Sequence, residues 1–241
     1  GIHTEVNIYE GTPVNNNYSG NLAQLCPVGA ITDEDFRFQT RSWFLKEGDT
    51  ICPLCSRGCG ITIDSHKGFA RFNVPKRVYR IRARKNPLVN GYWICDRGRY
   101  GYDVLNGERE RTLRQNDNTK ISWDEALEVL SEKIRRLHIK KQTEKIAVVY
   151  STWLTNEEFF LLQKIFERDL DSRLFRCDPK NGGGDYILLS PERTPNSRGA
   201  LEMGLNTDAA DLETVTADTE MLILIGASIA EKFSVSDIKT R

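Results

Sequence analysis

Histidine and methionine are scarce here, with three His and two Met in 241 residues. His3, His66 and His138 lie far apart, and no Ser/His/Asp set forms around any of them, so hydrolytic triad chemistry has no seat. His138 closes a helical pattern, where a cation suits the C-terminal dipole, and His3 reads as an ordinary packing or surface residue. Charge of one sign is also missing. Lys plus Arg and Asp plus Glu both number 34, which leaves no electrostatic reason to expect nucleic acid. The most apolar stretch, Met221 to Ala230, falls far short of a bilayer span, and no basic leader opens the chain. No Gly-x-Gly-x-x-Gly follows a strand. The run Gly182-Gly183-Gly184 lacks the strand-to-helix setting of a phosphate loop and reads as a mobile loop. What remains, 39% apolar and 28% charged, is the composition of a soluble globular protein.

Cysteine is what the chain does have. Cys52, Cys55 and Cys59 form a Cys-x2-Cys-x3-Cys run, and Cys95 returns after a gap of 35 residues. Clustered thiols in a long, charged, leaderless chain read as metal ligands in a reducing compartment rather than as disulfides. Three crowded ligands plus one distant one suit a [4Fe–4S] cluster. Structural zinc sites instead pair two knuckles, or one knuckle with a His pair, and His66 has no such partner. Zinc is the main alternative. Arg57, Arg97 and Arg99 lie in the ligand loops and are candidates to tune a negatively charged cluster. Val78 to Arg84 alternates as a strand, with Arg80, Arg82 and Arg84 on one face. That face is either solvated or directed at the cluster.

The organisation along the chain changes in character twice. Residues 1–48 look irregular, 49–107 carry the four cysteines among short strands and turns, and 107–120 read as a linker. Ser122 and Glu125 make a capping box. Trp123, Ala126, Leu127, Leu130, Ile134 and Leu137 then repeat at helical spacing. Lys145 to Ser151 is an apolar strand. Thr155 and Glu158 make a second capping box, opening a helix to about Leu170 with Leu162, Ile165, Phe166 and Leu170 as its buried stripe. Leu174 to Cys177 is a short strand that ends in a structural thiol, 179–206 is mostly irregular, and Glu220 to Gly226 has the near-continuous apolar character of a strand covered on both faces. Residues 231–241 are too few for more than a loop or one short helix. The fold class expected is α+β: a small irregular/β cluster domain (49–107) after an N-terminal remnant (1–48), then a partial doubly wound α/β domain (108–241).

Particular motifs add a resemblance. Ile51-Cys-Pro-Leu-Cys-Ser-Arg-Gly-Cys59 and Trp93-Ile-Cys-Asp-Arg-Gly-Arg-Tyr-Gly-Tyr102 resemble the cluster domain of the molybdopterin oxidoreductase superfamily. Ile121-Ser-Trp-Asp-Glu-Ala-Leu127 and Thr155-Asn-Glu-Glu-Phe-Phe-Leu-Leu-Gln-Lys164 resemble its next domain. Within the superfamily the chain looks most like the large iron–sulfur subunits of bacterial complex I. Ser19-Gly-Asn-Leu-Ala-Gln-Leu-Cys-Pro-Val-Gly-Ala-Ile-Thr32 and Arg193-Thr-Pro-Asn-Ser-Arg-Gly-Ala-Leu-Glu-Met-Gly204 carry that likeness, together with the Cys95 segment.

The resemblance implies an electron-transfer subunit of an NADH:quinone oxidoreductase with no complete active site of its own. It implies Cys52, Cys55, Cys59 and Cys95 as [4Fe–4S] ligands and no molybdopterin. Cys26, in Cys-Pro-Val-Gly-Ala, becomes the ligand of a second [4Fe–4S] cluster whose other cysteines lie upstream in the parent protein. Their absence here, with Gly at position 1, points to a piece of a longer chain. The implied partners are the other subunits of the peripheral arm, including the flavin-bearing one, and the implied place is cytoplasmic, reaching the inner membrane only through the complex. The competing reading is a fragment of a molybdenum or tungsten enzyme such as a formate dehydrogenase. Against it, Arg97 stands where those enzymes commonly carry a Lys, and Lys180-Asn181-Gly182-Gly183-Gly184 stands where a metal-binding Cys or selenocysteine would follow. A zinc-stapled assembly module is the third reading.

Overall fold

The computed structural model describes residues 1–4, 8–66, 77–107, 112–115, 118–177, 182–205 and 212–226. The expectation for 231–241 lies outside them. The chain divides into two compact units. One comprises Gly1–Glu108 with Asn181–Arg193, and the other Arg109–Lys180 with Thr194–Arg241. Helices and sheets occur together, an α+β architecture.

In the first unit a short helix α1 (Asn21–Leu25) and a 3₁₀ turn (Ser42–Phe44) precede an antiparallel meander of β1 (Leu45–Ile51), β2 (Gly60–His66) and β3 (Val78–Ala83). β1 begins inside the segment that reads as irregular in sequence. Its Lys-Glu-Gly-Asp-Thr run leaves every residue after Leu45 exposed, so it is an outer strand with little apolar signature. α2 (Asp96–Tyr100) and α3 (Asp103–Asn106) follow. Ile61, Val78, Ile81, Ile94 and Tyr102 pack with Cys52 and Cys59 into one core.

The arginine-bearing face of β3 serves this sheet. Asp64, only 1% exposed, lies opposite Arg80 in the strand register. It accepts from Arg80 and, at 2.9 Å to each of its oxygens, from Arg82. Arg82 also reaches Glu47 at 2.7 Å, and Arg80 stacks 3.9 Å from the centre of the Phe36 ring. Alternation in sequence put the arginines on one face, and the acid that collects them comes from the neighbouring strand.

In the second unit β4 (Leu113–Arg114) pairs with β5 (Lys120–Ile121), and α4 (Trp123–Ile139) starts from the Ser122/Glu125 capping box. β6 (Ile146–Ser151), α5 (Asn156–Leu162), β7 (Arg173–Cys177), α6 (Ser197–Glu202), α7 (Leu212–Thr216) and β8 (Met221–Ile225) complete it. The sheet is parallel with order β7-β6-β8, so the first strand lies in the middle. Ile146, Val148 and Tyr150 of β6 face a core with Phe159 and Leu162 of α5, while Ala147 and Val149 face Cys177 and Val215 of α7. Helices therefore cover both faces, as in doubly wound layers. Tyr150 and Phe159 meet edge to face with ring centres 5.9 Å apart.

Three details differ from the sequence expectation. α5 gives way to a π-helical stretch, Gln163–Asp169, whose wider turn shifts the helical phase. The buried stripe holds Leu162 as expected and Phe159 one turn earlier, whereas Ile165 is exposed and Phe166 only partly covered. Among the described residues β8 lies at the edge of its sheet, and it is half-buried rather than covered on both faces. In α4 only Leu137 is buried, and Trp123 and Leu127 stay exposed.

Candidate metal-cluster centre

Cys52, Cys55 and Cys59 occupy the connection between β1 and β2. The ends of that loop are clamped by the Ile51–Gly60 pair and by Cys52 N donating to Cys59 O at 2.8 Å. Gly58 takes φ 66°, a left-handed turn that a side chain would strain, just before Cys59. Cys95 comes from another segment and is the N-cap of α2, its Sγ accepting from Gly98 N at 3.4 Å. Gly98 lies so close that a Cβ there would stand 3.3 Å from Cys52 Sγ and 3.0 Å from Ile94 carbons. The structure thus brings the loop and the distant cysteine to one place.

Two buried asparagines hold the segments together. Asn90 accepts from Gly60 N at 2.8 Å and donates to Trp93 O at 2.8 Å, joining the start of β2 to the approach to Cys95. Asn21 donates to Ile94 O at 2.7 Å and accepts from Ile94 N at 3.1 Å. Sequence reasoning missed both. Asn90 belongs to no motif read from the sequence, and Asn21 lies inside the Ser19–Thr32 motif without being singled out there.

All four thiols are at most 6% exposed. Burial pushes Cys52 up to about 11 and Cys59 up to about 12, and raises Cys95 as well. The neighbouring thiols push the same way: Cys52 feels Cys95 and Cys55, and Cys59 feels the other three. Opposing this, the Leu54 N–H and Arg97 favour the Cys52 thiolate, and Arg57 favours that of Cys59. Four sulfurs that would repel one another as bare thiolates, with N–H groups and cations beside them, form a donor set that a cationic metal core would relieve. Among the described residues no three His, Cys, Asp or Glu side chains converge on a single ion. The donor set fits a cluster, which spreads its ligands over several metal atoms.

The three loop arginines separate. Arg57 and Arg97 act on the thiols, and Arg57 also donates to Ile187 O at 2.9 Å. Arg99 is buried among Asn21 and Gln24, to whose side-chain oxygens it donates at 2.9 Å. It lines a cavity of about 540 Å³ together with Cys26, Arg37, Phe38, Arg80 and Arg82.

Cys26, half-buried at the end of α1, accepts from Ile31 N at 3.4 Å. This bond, with the backbone groups of Ala30, Val28 and Gly29, holds its thiol below the usual range. The thiolate is therefore present at a lower pH than an ordinary cysteine allows. In the apoprotein at pH 7, iodoacetamide should alkylate Cys26 at least roughly tenfold faster than Cys52 or Cys59. The rate should fall as pH drops through the lowered value, as peptide mass spectrometry over time would show.

His3 is exposed, His66 ends β2 beside the Tyr79 ring, and His138 lies in the last turn of α4. Cys177 ends β7 and packs with Ala147, Val149 and Val215. In the segment read as a mobile loop, Gly182 N donates to Pro191 O at 2.8 Å, and Arg193 donates to Gly183 O. Lys180 and Asn181 lie outside the described residues.

A buried four-cysteine loop centre and a doubly wound layer in one chain define a class, and the chain belongs to the molybdopterin oxidoreductase family. That family's model matches residues 85–241, and the model of the molybdopterin oxidoreductase Fe4S4 domain matches 45–107. Curated relatives narrow the likeness to NADH-quinone oxidoreductase subunits. The chain is 37% identical over 139 residues to NADH-quinone oxidoreductase subunit 3 of Thermus thermophilus, covering 56% of this chain and 16% of that one. It is 28% identical to an NADH-quinone oxidoreductase subunit of Rhizobium meliloti, covering 100% and 26%. It is 30% identical to one from Rickettsia bellii, covering 95% and 30%. The chain thus spans less than a third of the length of these relatives. Among the described residues no helix is long and apolar enough to cross a membrane.

Proposed function

We propose that the chain is an iron–sulfur electron-transfer part of an NADH-quinone oxidoreductase, with Cys52, Cys55, Cys59 and Cys95 holding one [4Fe–4S] cluster. The observation that carries this is the burial of four thiols, with the helix that Cys95 caps packed against Cys52, inside the segment matched by the Fe4S4 domain. A bound cluster would supply one-electron storage. The chain's own residues do the rest. Asn21 and Asn90 lock the two ligand segments, Arg57 and Arg97 offset negative charge, and the apolar packing of Ile61, Ile81 and Ile94 limits water.

In this reading residues 1–48 present Cys26 to a second [4Fe–4S] cluster, with Arg99 in the same cavity. Residues 49–107 form the first cluster domain and 108–241 a scaffold without molybdopterin. Cys177, the thiol nearest in sequence to the position of a molybdenum ligand, packs inside the apolar layer, which supports that assignment. The partners are the other subunits of a peripheral arm, the flavin-bearing one included, on the cytoplasmic side of the inner membrane. Elemental analysis of the complete native complex tests the reading. Iron without molybdenum or tungsten, in a complex whose clusters NADH reduces, is the expected result. Stoichiometric molybdenum or tungsten bound to this subunit would overturn it in favour of the family's pterin enzymes.

A further inference from the structure

Segment 182–193 interrupts the second unit in sequence, yet it folds with the first. It is fastened to the cluster loop at three points. Ser56 N donates to Glu192 O at 3.0 Å, Ser56 Oγ meets Ser190 Oγ at 2.7 Å, and Arg57 donates to Ile187 O at 2.9 Å. A fourth fastening centres on Tyr18. Its hydroxyl donates to Asp185 Oδ2 at 2.6 Å and accepts from Leu188 N and Leu189 N at 3.0 and 3.2 Å.

The residues flanking Tyr18 hold the Cys95 corner. Asn17 O accepts from Asp96 N at 2.6 Å, Ser19 Oγ donates to Asp96 Oδ2 at 2.5 Å, and Gly20 N donates to Asp96 Oδ1 at 2.9 Å. Residues 17–20 thus grip Asp185 on one side and the residue after Cys95 on the other. Burial works against the Asp185 charge, but the Tyr18 hydroxyl and the N–H groups of Ile187 and Leu189 together outweigh it and keep the carboxyl below its usual range. Tyr18 in turn is raised to about 12 by burial and by Asp185, so it remains a donor.

We propose that Asp185 is a potential-setting residue of the four-cysteine centre, a negative charge latched by Tyr18 to the strip that grips the residue after Cys95, and that it disfavours reduction of a cluster bound there. The proposal rests on the cluster reading above. Its physical basis is that adding an electron to an already anionic core is harder next to a fixed anion. Arg57 and Arg97 pull the other way, so the potential reflects their balance.

The test is a dithionite titration against mediator dyes, followed by EPR, on the iron-loaded full chain and its Asp185→Asn, Asp185→Glu and Tyr18→Phe variants. Iron content and the rate of iron loss to a ferrous chelator are measured alongside. Asp185→Asn should raise the reduced-to-oxidised ratio at a fixed potential by about tenfold, equivalent to ~59 mV for one electron, with iron content and chelator rate unchanged. Asp185→Glu should restore the wild-type ratio. An unchanged ratio in a fully loaded Asp185→Asn variant would overturn the proposal. So would equal shifts in Asp185→Asn and Tyr18→Phe accompanied by faster iron loss, since segment 182–193 would then act by covering rather than by charge. A wild-type chain that takes up no cluster contradicts the cluster reading itself, a failure visible before any titration.

Discussion

Replacing Cys95 with serine should cut bound iron from about four atoms per reconstituted chain to well under one, while the far-ultraviolet circular dichroism stays that of the wild type. In the proposed centre Cys95 is the one ligand from outside the 52–59 loop, and a serine hydroxyl ionises far less readily than a thiol. The fold should survive because Asn21 and Asn90, not Cys95, tie its segment to the rest. The same change at Cys177, packed among Ala147, Val149 and Val215, should leave iron content unaltered. Colorimetric iron and sulfide assays on the two variants read this directly. Equal iron in wild type and Cys95→Ser would remove Cys95 from the centre.

The second large effect expected is on stability. Asp64 is buried between two arginines that it engages through both carboxylate oxygens. Asp64→Ala takes from Arg80 its buried acceptor and leaves Arg82 to Glu47 on the exposed outer strand. Breaking a buried ion pair typically costs ~3–5 kcal/mol. Both arginines keep somewhat over a quarter of their side chains in water, at 29% and 28%, so the low end applies, about 3 kcal/mol. Urea unfolding of the first unit's signal should show a lower midpoint with an unchanged slope. A loss below ~1 kcal/mol would place the network with ordinary surface pairs.

The parts of this fold that were legible in sequence are those whose cause is local. Both capping boxes form as their residue pairs imply, because Ser122–Glu125 and Thr155–Glu158 each lie within one turn. The apolar run of β6 is central and wholly buried. β8 has an equally apolar run and, among the described residues, lies at the edge of its sheet, because burial of a strand depends on what lies beside it, which composition does not encode. α5 was legible up to Leu162. The π-helical widening that follows, Gln163–Asp169, has no local residue signal.

The centre divides in the same way. Cysteine spacing marks the four thiols, but the groups that position them act across 30 to 171 residues: Asn90 on Gly60, Asn21 on Ile94, and Tyr18 on Asp185, Leu188 and Leu189. Arg99 shows the limit of proximity in sequence. It lies four residues from Cys95, yet its guanidinium turns to Asn21, Gln24 and the Cys26 cavity. Helical direction, not distance along the chain, decides which thiol an arginine meets.

The most direct test of the central claim is a metal count on the purified chain after anaerobic reconstitution with iron and sulfide, with zinc offered in competition. The account predicts about four iron and four sulfide per chain, no zinc, and loss of both iron and sulfide in Cys95→Ser. One zinc per chain, dependent on Cys95 and held without iron or sulfide, would contradict it.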